Sequence, residues 1–577
     1  MFFFLKGILF GIMVNSFKLT NLTFKAGPFP KTVGEPITLA PITILVGPNN
    51  SGKSQTLRDI ENICLNSQTP TVVIEDLKFD TTLEKGEILE LLNPFTRSIE
   101  YRGQRKLYNF TRHPLRSDEG GGGYQIYEDQ LDDYIRGDKE SLKKLISLHH
   151  TIKLDGATRY SLLNPMRKYH NPDIRGSYLE ELFYEVELRR RVQGYIFEEF
   201  GYYFVIDPTK ENYEIRMSKE KPENDIEYHV GSKGHDFFQR TLPITSFGDG
   251  VKGYVGIVAP LMSLPHRIIL IEDPELFLHP PLARKLGKVM TDIALEREGS
   301  LIIATHNADI VIGCLESTSN VNIIRLTFEN NQATSRVLQP EEVRELMNEP
   351  LTRSIGAING LFHKATIVCE SDADRVFYEE INRRLLNEEV RAEDKRHIDD
   401  ALFLNALGKD SVHRIIGHLR KIGVPAISIV DFDAIQGDAF KNILRSCGIP
   451  EELRTDIFKL RDDLVRRICA QVPDHPNVNK YLKENGISGL TEEDEEFAES
   501  FLGRLAEYGF FIVPNGELES WLEGKGLTRR STSAEWVKEL FNRSIEDADI
   551  LKPEEGDVWE FIHQISKWVK DGGYPTR

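Results

Sequence analysis

The chain has 577 residues, more than one hydrophobic core usually supports, so three or four units of ordinary size are expected. Hydrophobic residues make up 40% of it and charged residues 28%, a globular balance that excludes a disordered or fibrous chain. With 72 Lys and Arg against 90 Asp and Glu, the formal net charge of -18 excludes a uniformly basic coat for indiscriminate DNA binding and still leaves room for a local basic groove.

Residues 1–12 are an extra apolar N-terminal segment, too short to span a bilayer and without a small-residue cleavage site. The first domain is expected to open at Met13, because Phe17, Leu19, Leu22 and Phe24 then alternate as in a first strand. From Pro41, the run PITILVGPNNSGKSQTLRDI passes from a β-rich segment through a glycine-bearing loop into helical periodicity. Within it Gly47 to Ser54 fits GxxxxGK[ST]. Loop N–H groups and a helix N-terminus then wrap a phosphate, Lys53 neutralises it and Ser54 binds Mg²⁺. The expected ATP contacts are Gly47, Asn49, Asn50, Ser51, Gly52, Lys53, Ser54 and Gln55. Residues 72–240 change character repeatedly, from a polar stretch with Gly120 to Gly123 to helical periodicity and then to alternation in YYFVID and YEIRM. They are expected to form an inserted lobe, or dimerisation region, carrying a flexible loop.

Strong patterning returns at Pro243, where RIILIED and GSLIIATH read as core strands of an α/β sheet flanking a helix. A Walker B strand ends in carboxylates because metal and attacking water meet at the carboxyl edge of the sheet. Glu272 is expected on the Mg²⁺ side and Asp273 as the residue that polarises the water, with Glu275 its competitor. His306 ends the next strand, where it can sense a γ-phosphate. The segment SFGDGVKGY from Ser246, together with PELFLHP after Walker B, resembles the ABC-type ATPases of the SMC, RecF and OLD group. The resemblance implies a homodimer or higher homo-oligomer through the ATPase domain, in which Ser246, Gly248 and Gly250 of one subunit close over the ATP of another. The segment departs from LSGGQ, and Glu272-Asp273 reverses the commoner Asp-Glu order.

A second α/β unit opens at Lys364 with KATIVCES, an apolar strand ending in acidic residues, followed by the helix DADRVFYEEINRRLL. VPAISIVDFD repeats the pattern, and YGFFIVPNGELESWL supplies a third such strand after a charged helical insertion over 451–504. Trp536, Phe541, Trp559, Phe561 and Trp568 mark amphipathic C-terminal helices and are read as core. Two-metal phosphoryl transfer needs several carboxylates converging on cations about 4 Å apart. Glu370 and Asp374 lie four apart and share a helix face. Asp431 and Asp433 lie two apart at a strand end, where alternation puts them on one side, and Glu517 and Glu519 repeat that spacing.

In that order, IVCESDAD, VDFDA and NGELESWL resemble the Toprim domain, and the preceding Walker motifs select the OLD family of DNA endonucleases. The resemblance covers nearly the whole chain. It implies an α/β protein with an N-terminal ABC-type P-loop ATPase over 13–350, followed by a Rossmann-like Toprim nuclease domain over 360–577 with helical additions. It further implies that Glu370, Asp374, Asp431, Asp433 and Glu519 hold Mg²⁺ or Mn²⁺, with Glu517 beside them. Glu370 and Asp431 are then catalytic, and Lys409 in NALGKDS contacts the scissile phosphate, with Lys525 and Lys567 as weaker candidates for that role. Ser371 stands where the family usually has glycine. The implied cofactors are ATP and Mg²⁺ or Mn²⁺ at both sites. The implied substrate is DNA, in bacterial anti-phage defence with a co-encoded partner protein or nucleic acid. The rival is a SMC- or RecF-like DNA-binding ATPase whose Toprim domain does not cleave. Topoisomerase chemistry needs an active-site tyrosine module, and the sequence offers none. Five scattered cysteines, with no CxxC spacing and no transmembrane stretch, point to a reduced cytoplasmic protein away from membranes.

Overall fold

A computed structural model of the chain describes residues 17–80, 83–102, 105–110, 124–168, 177–223, 226, 231–329, 331–354, 356–388, 395–471, 477–488, 490–522, 525–527, 530 and 532–572. The apolar segment 1–12 and the glycine run from Gly120 lie outside the described residues. The chain forms two compact units, Met1–Val46 with Asn50–Pro340 and Glu341–Arg577, the second of which also takes in Gly47–Asn49. The division falls between Pro340 and Glu341, where the helices Pro340–Asn348 and Pro350–Ser354 follow one another.

The main elements of the first unit are β1 (Leu19–Phe24), β2 (Ile42–Val46), α1 (Lys53–Cys64), β3 (Ile74–Phe79), β4 (Thr151–Leu154), α2 (Gly156–Ser161), α3 (Asp249–Ser263), β5 (Ile268–Glu272), α4 (Pro280–Glu296), β6 (Ser300–Ala304), α5 (Ala308–Ser317), β7 (Val321–Glu329) and β8 (Gln332–Leu338). The central sheet has the order β8-β7-β2-β6-β5-β4 and is parallel except at the β7–β8 edge. All residues of β2 and β6 are buried, as the unbroken apolar runs ITILV and SLIIA require of strands covered on both faces. One strand, β6, thus separates the phosphate-loop strand from the Walker B strand, and their carboxyl ends share one edge.

The predicted lobe over 72–240 is not a single insertion. β3 pairs antiparallel with β1 in a small sheet, and the chain returns at β4 to form the edge of the central sheet beside β5. TIKL, between two histidines and an Asp-Gly, is too short to declare itself by periodicity.

Asp59 locks α1 to the segment leading into β3. This fully buried carboxylate accepts N–H bonds from Val72 (2.8 Å), Val73 (2.6 Å) and Ile74 (3.1 Å). Asp59→Ala should leave those donors unsatisfied and destabilise the first unit by about 3 kcal/mol, read as an earlier transition in urea.

The main elements of the second unit are β9 (Ala365–Cys369), α6 (Asp372–Glu388), β10 (Ala401–Asn405), α7 (Lys409–Lys421), β11 (Ala426–Val430), α8 (Glu451–Gln471), α9 (Val478–Asn485), α10 (Glu492–Ala506), β12 (Phe510–Ile512), α11 (Ser533–Glu546) and α12 (Asp557–Lys570). Its sheet has the order β10-β9-β11-β12 with every pair parallel. The edge strand β10, ALFLN, went unread in the sequence. Trp536, Trp559, Phe561 and Trp568 are buried against this sheet's apolar side chains, with Phe541 partly covered. Among the described residues no helix is long and apolar enough to cross a membrane, and the five cysteines are free.

Candidate active sites

At the first site, the loop after β2 carries left-handed residues at Asn50 (φ 59°) and Gly52 (φ 97°), which turn the chain into α1. Lys53 and Ser54 form the first turn of that helix, and the buried Lys53 ammonium lies 3.4 Å from Ser51 Oγ. Gln55, expected at the nucleotide, donates to Asp59 (2.8 Å).

The Walker B carboxylates take distinct surroundings. Glu272, expected on the Mg²⁺ side, pairs with Lys153 of β4 (3.3 Å). Burial pushes the Asp273 carboxyl up, the charges of His306 and Lys53 oppose that, and Glu272 adds to it. His306 Nε2 lies 3.7 Å from Asp273 Oδ1. Glu275 Oε1 accepts from Thr305 Oγ1 (2.9 Å) and from the His306 N–H (2.7 Å), so this carboxylate ties the Walker B turn to the end of β6. Ser246 closes a 3₁₀ turn, Gly248 caps α3, and a Cβ on Gly250 would come within 2.9 Å of the Phe277 carbonyl oxygen.

At the second site, the carboxyl edge of the parallel sheet collects the acidic residues. Glu370 follows β9. Ser371 makes the turn into α6: its N–H donates to Asp374 Oδ2 (2.9 Å), and its Oγ accepts from the Asp374 N–H (3.4 Å), a capping arrangement for that helix. Asp431 and Asp433 do not owe their placement to strand alternation. β11 ends at Val430, Asp431 caps a 3₁₀ turn and Asp433 lies inside it; Glu517 and Glu519 repeat this, with Glu519 inside the turn Leu518–Ser520.

Burial, then the charge of Asp433, pushes Glu370 up. Burial, then Glu370 and Asp374, holds Asp431 well above the carboxylate range. Burial also raises Asp374, with the charge of Glu519 added and the Ser371 hydrogen bonds opposing. These mutual effects put the acidic side chains from three distant stretches in one electrostatic neighbourhood.

Two ammonium groups enter it. Lys409 lies 2.6 Å from Asp433 Oδ2. Lys483 of α9 lies 3.3 Å from Asp431 Oδ2 and 3.8 Å from Glu517 Oε2. Burial works against the Lys483 charge, yet Asp431, Asp433 and Glu517 raise its pKa above the ordinary lysine value. Lys483 is the residue that sequence reasoning missed, because it sits in the charged helical insertion among many solvated lysines. Lys525 is paired with Glu554 (3.0 Å), and Lys567 lies on the exposed side of α12.

The donor set is hard oxygen, the class that Mg²⁺ and Mn²⁺ take. Among the described residues, Glu370 Oε2, Asp433 Oδ1 and Glu519 Oε2 are buried and make no hydrogen bond, acceptor capacity that a cation would use. As the side chains stand, no three His, Cys, Asp or Glu among the described residues are arranged to hold an ion, and Lys409 and Lys483 supply the positive charge. The oxygen donors are of the class a divalent ion takes, and Asp431 is paired with Lys483.

Metal binding requires the carboxylates ionised. Because the folded state raises Glu370 and Asp431, acid protonates them before an ordinary carboxylate. Mn²⁺ affinity is expected to fall on acidification already above the ordinary carboxylate value near 4, in calorimetric titrations across a pH series.

A glycine-bearing phosphate loop and an acidic strand end, separated by one parallel strand, define a P-loop nucleotide-binding domain. Residues 42–312 match the family model described as "AAA domain, putative AbiEii toxin, Type IV TA system". The chain is similar to the OLD nuclease of Thermus scotoductus, 21% identical over 446 residues that span 69% of this chain and 79% of that protein. Solved structures similar to part of it include an SMC head bound to the C-winged helix domain of ScpA, 10% identical with a TM-score of 0.34, covering 56% of this chain and 99% of that one. The SMC head domain from Thermotoga maritima is 14% identical with a TM-score of 0.27, covering 56% and 99%. Residues 42–312 thus match an AAA-domain model and the chain is similar to an OLD nuclease, in agreement with the resemblance read from its motifs.

Proposed function

We propose that the protein is an ATP-regulated, metal-dependent DNA endonuclease of the OLD kind, its second unit a Toprim domain. The observation that carries the reading is the gathering of Glu370, Asp374, Asp431, Asp433 and Glu519 at the carboxyl edge of one parallel sheet, buried or half-buried and acting on one another. Bound there, a divalent cation supplies Lewis acidity and a water of lowered pKa. Glu370, Asp374, Asp431, Asp433 and Glu519 would hold it. Lys409, kept in place by Asp433, is the group available to offset charge on a phosphate oxygen. In the first unit Lys53 and the loop N–H groups bind ATP, Asp273 or Glu275 orients the attacking water, and Ser246, Gly248 and Gly250 contact the nucleotide of a second subunit in a dimer. A role in anti-phage defence, with a co-encoded partner, belongs to the same reading through the family resemblance.

The test is incubation of the full chain with supercoiled, linear and single-stranded DNA in Mg²⁺ or Mn²⁺, with and without ATP. Products that need the divalent ion support the reading. Intact DNA in every combination overturns it and leaves a RecF-like DNA-binding ATPase that does not cleave. The observation favouring that second reading is the pairing of Asp431 and Glu517 with Lys483.

A further inference from the structure

The Walker B turn is held from behind by a segment that no sequence motif marks. Arg159, in α2, is 2% exposed. Its Nη2 donates to the carbonyl oxygens of Glu272 (3.2 Å) and Asp273 (3.1 Å), and its Nε donates to that of Asp155 (3.1 Å). Asp273 adopts φ 45° there, a left-handed conformation that a non-glycine residue keeps only where its surroundings dictate it. The guanidinium is a rigid planar fork, so clamping consecutive carbonyls fixes the direction in which the Asp273 side chain leaves the turn. Among the described residues, Arg159 Nη1 and Glu275 Oε2 are buried and make no hydrogen bond. Burial works against the Arg159 charge, and Glu275 and Asp273 are the first two anions that offset it.

On its other side Arg159 meets α3. A Cβ on Gly256 would come within 2.7 Å of the Arg159 carbonyl oxygen, so the two helices touch backbone to backbone. α3 is the helix capped by Gly248, with Gly250 in its first turn. One short helix thus contacts both the carboxylate turn and the helix that opens with the signature-like segment.

We propose that Arg159 is a positioning residue for ATP hydrolysis: it sets the Glu272–Asp273 turn, and its contact with Gly256 makes that setting depend on where α3 stands. The inference rests on the ATPase reading above and needs no assumption about the second unit. Nucleotide affinity is supplied by the phosphate loop, so loss of the brace acts on turnover and leaves binding in place.

The experiment measures steady-state ATP hydrolysis, and affinity for a fluorescent ATP analogue, in the full chain and in Arg159→Met, Arg159→Lys and Gly256→Ala. In Arg159→Met, kcat is expected to fall about 10- to 100-fold, as for removal of a group that orients a catalytic residue, with Kd within about threefold of wild type. Arg159→Lys, which keeps the charge and one donor direction, recovers part of the loss. Gly256→Ala reproduces the kcat loss with Arg159 still in the chain. Should Arg159→Met fail to fold, the other two variants decide. Wild-type turnover in the variants overturns the assignment alone. Parallel loss of ATP binding and turnover in Arg159→Lys and Gly256→Ala also overturns it, since Arg159 is then only a structural brace. A wild type that binds ATP without hydrolysing it overturns this inference and the ATPase reading together.

Discussion

Asp431→Ala is expected to abolish divalent-ion-dependent nicking of supercoiled DNA, a loss of about 100-fold or more, while ATP binding stays at the wild-type level. Asp431 carries the largest effect because of where it lies. Glu370, Asp374 and Asp433 all act on its charge, and Lys483 reaches it at 3.3 Å. Removing it takes one carboxylate from the proposed metal-binding set and leaves the Lys483 ammonium beside Glu517. Agarose-gel nicking assays in Mg²⁺ and Mn²⁺ read the first quantity, and binding of a fluorescent ATP analogue reads the second. Nicking by the variant at the wild-type rate would place the cutting centre elsewhere. Asp431→Asn, which preserves shape and removes the charge, should lose activity nearly as fully, separating ligand chemistry from packing.

The second large effect is expected at Lys53. Lys53→Ala removes the buried ammonium that stands in the first turn of α1 behind the left-handed residues Asn50 and Gly52. A hydrogen bond to a charged partner contributes about 1.5–3 kcal/mol, so ATP affinity should weaken roughly 10- to 150-fold. Nicking by this variant should no longer respond to added ATP at concentrations that change the wild-type rate. An unchanged affinity, measured by the same fluorescent analogue, would show that the loop does not bind the nucleotide. A variant that loses ATP binding yet keeps the wild-type response would show that the two units do not communicate through this site.

Local chemistry made much of the architecture legible. GPNNSGKS between an apolar run and a helical period can be read without neighbours, because a phosphate loop is defined by its own backbone. Acidic residues at the ends of KATIVCES, VPAISIVDFD and YGFFIVPNGELES marked the strands whose ends carry charge, since an apolar run predicts burial of everything except its terminus. What misled the reading was also local. TIKL was too short to count as a strand, and the DxD spacing suggested alternation where the backbone makes a 3₁₀ turn.

The order of buried strands and the acidic character of their ends were thus written in the chain itself, because hydrophobic periodicity and turn chemistry act over a few residues. The choice of cations was not. Lys153, Arg159 and Lys483 lie on segments that look like ordinary solvated surface, and only the fold brings them to Glu272, the Walker B turn and Asp431, as only the fold sets Lys409, picked out by its motif, against Asp433. Coulomb interactions depend on separation in space and on burial, and neither is a function of distance along the sequence.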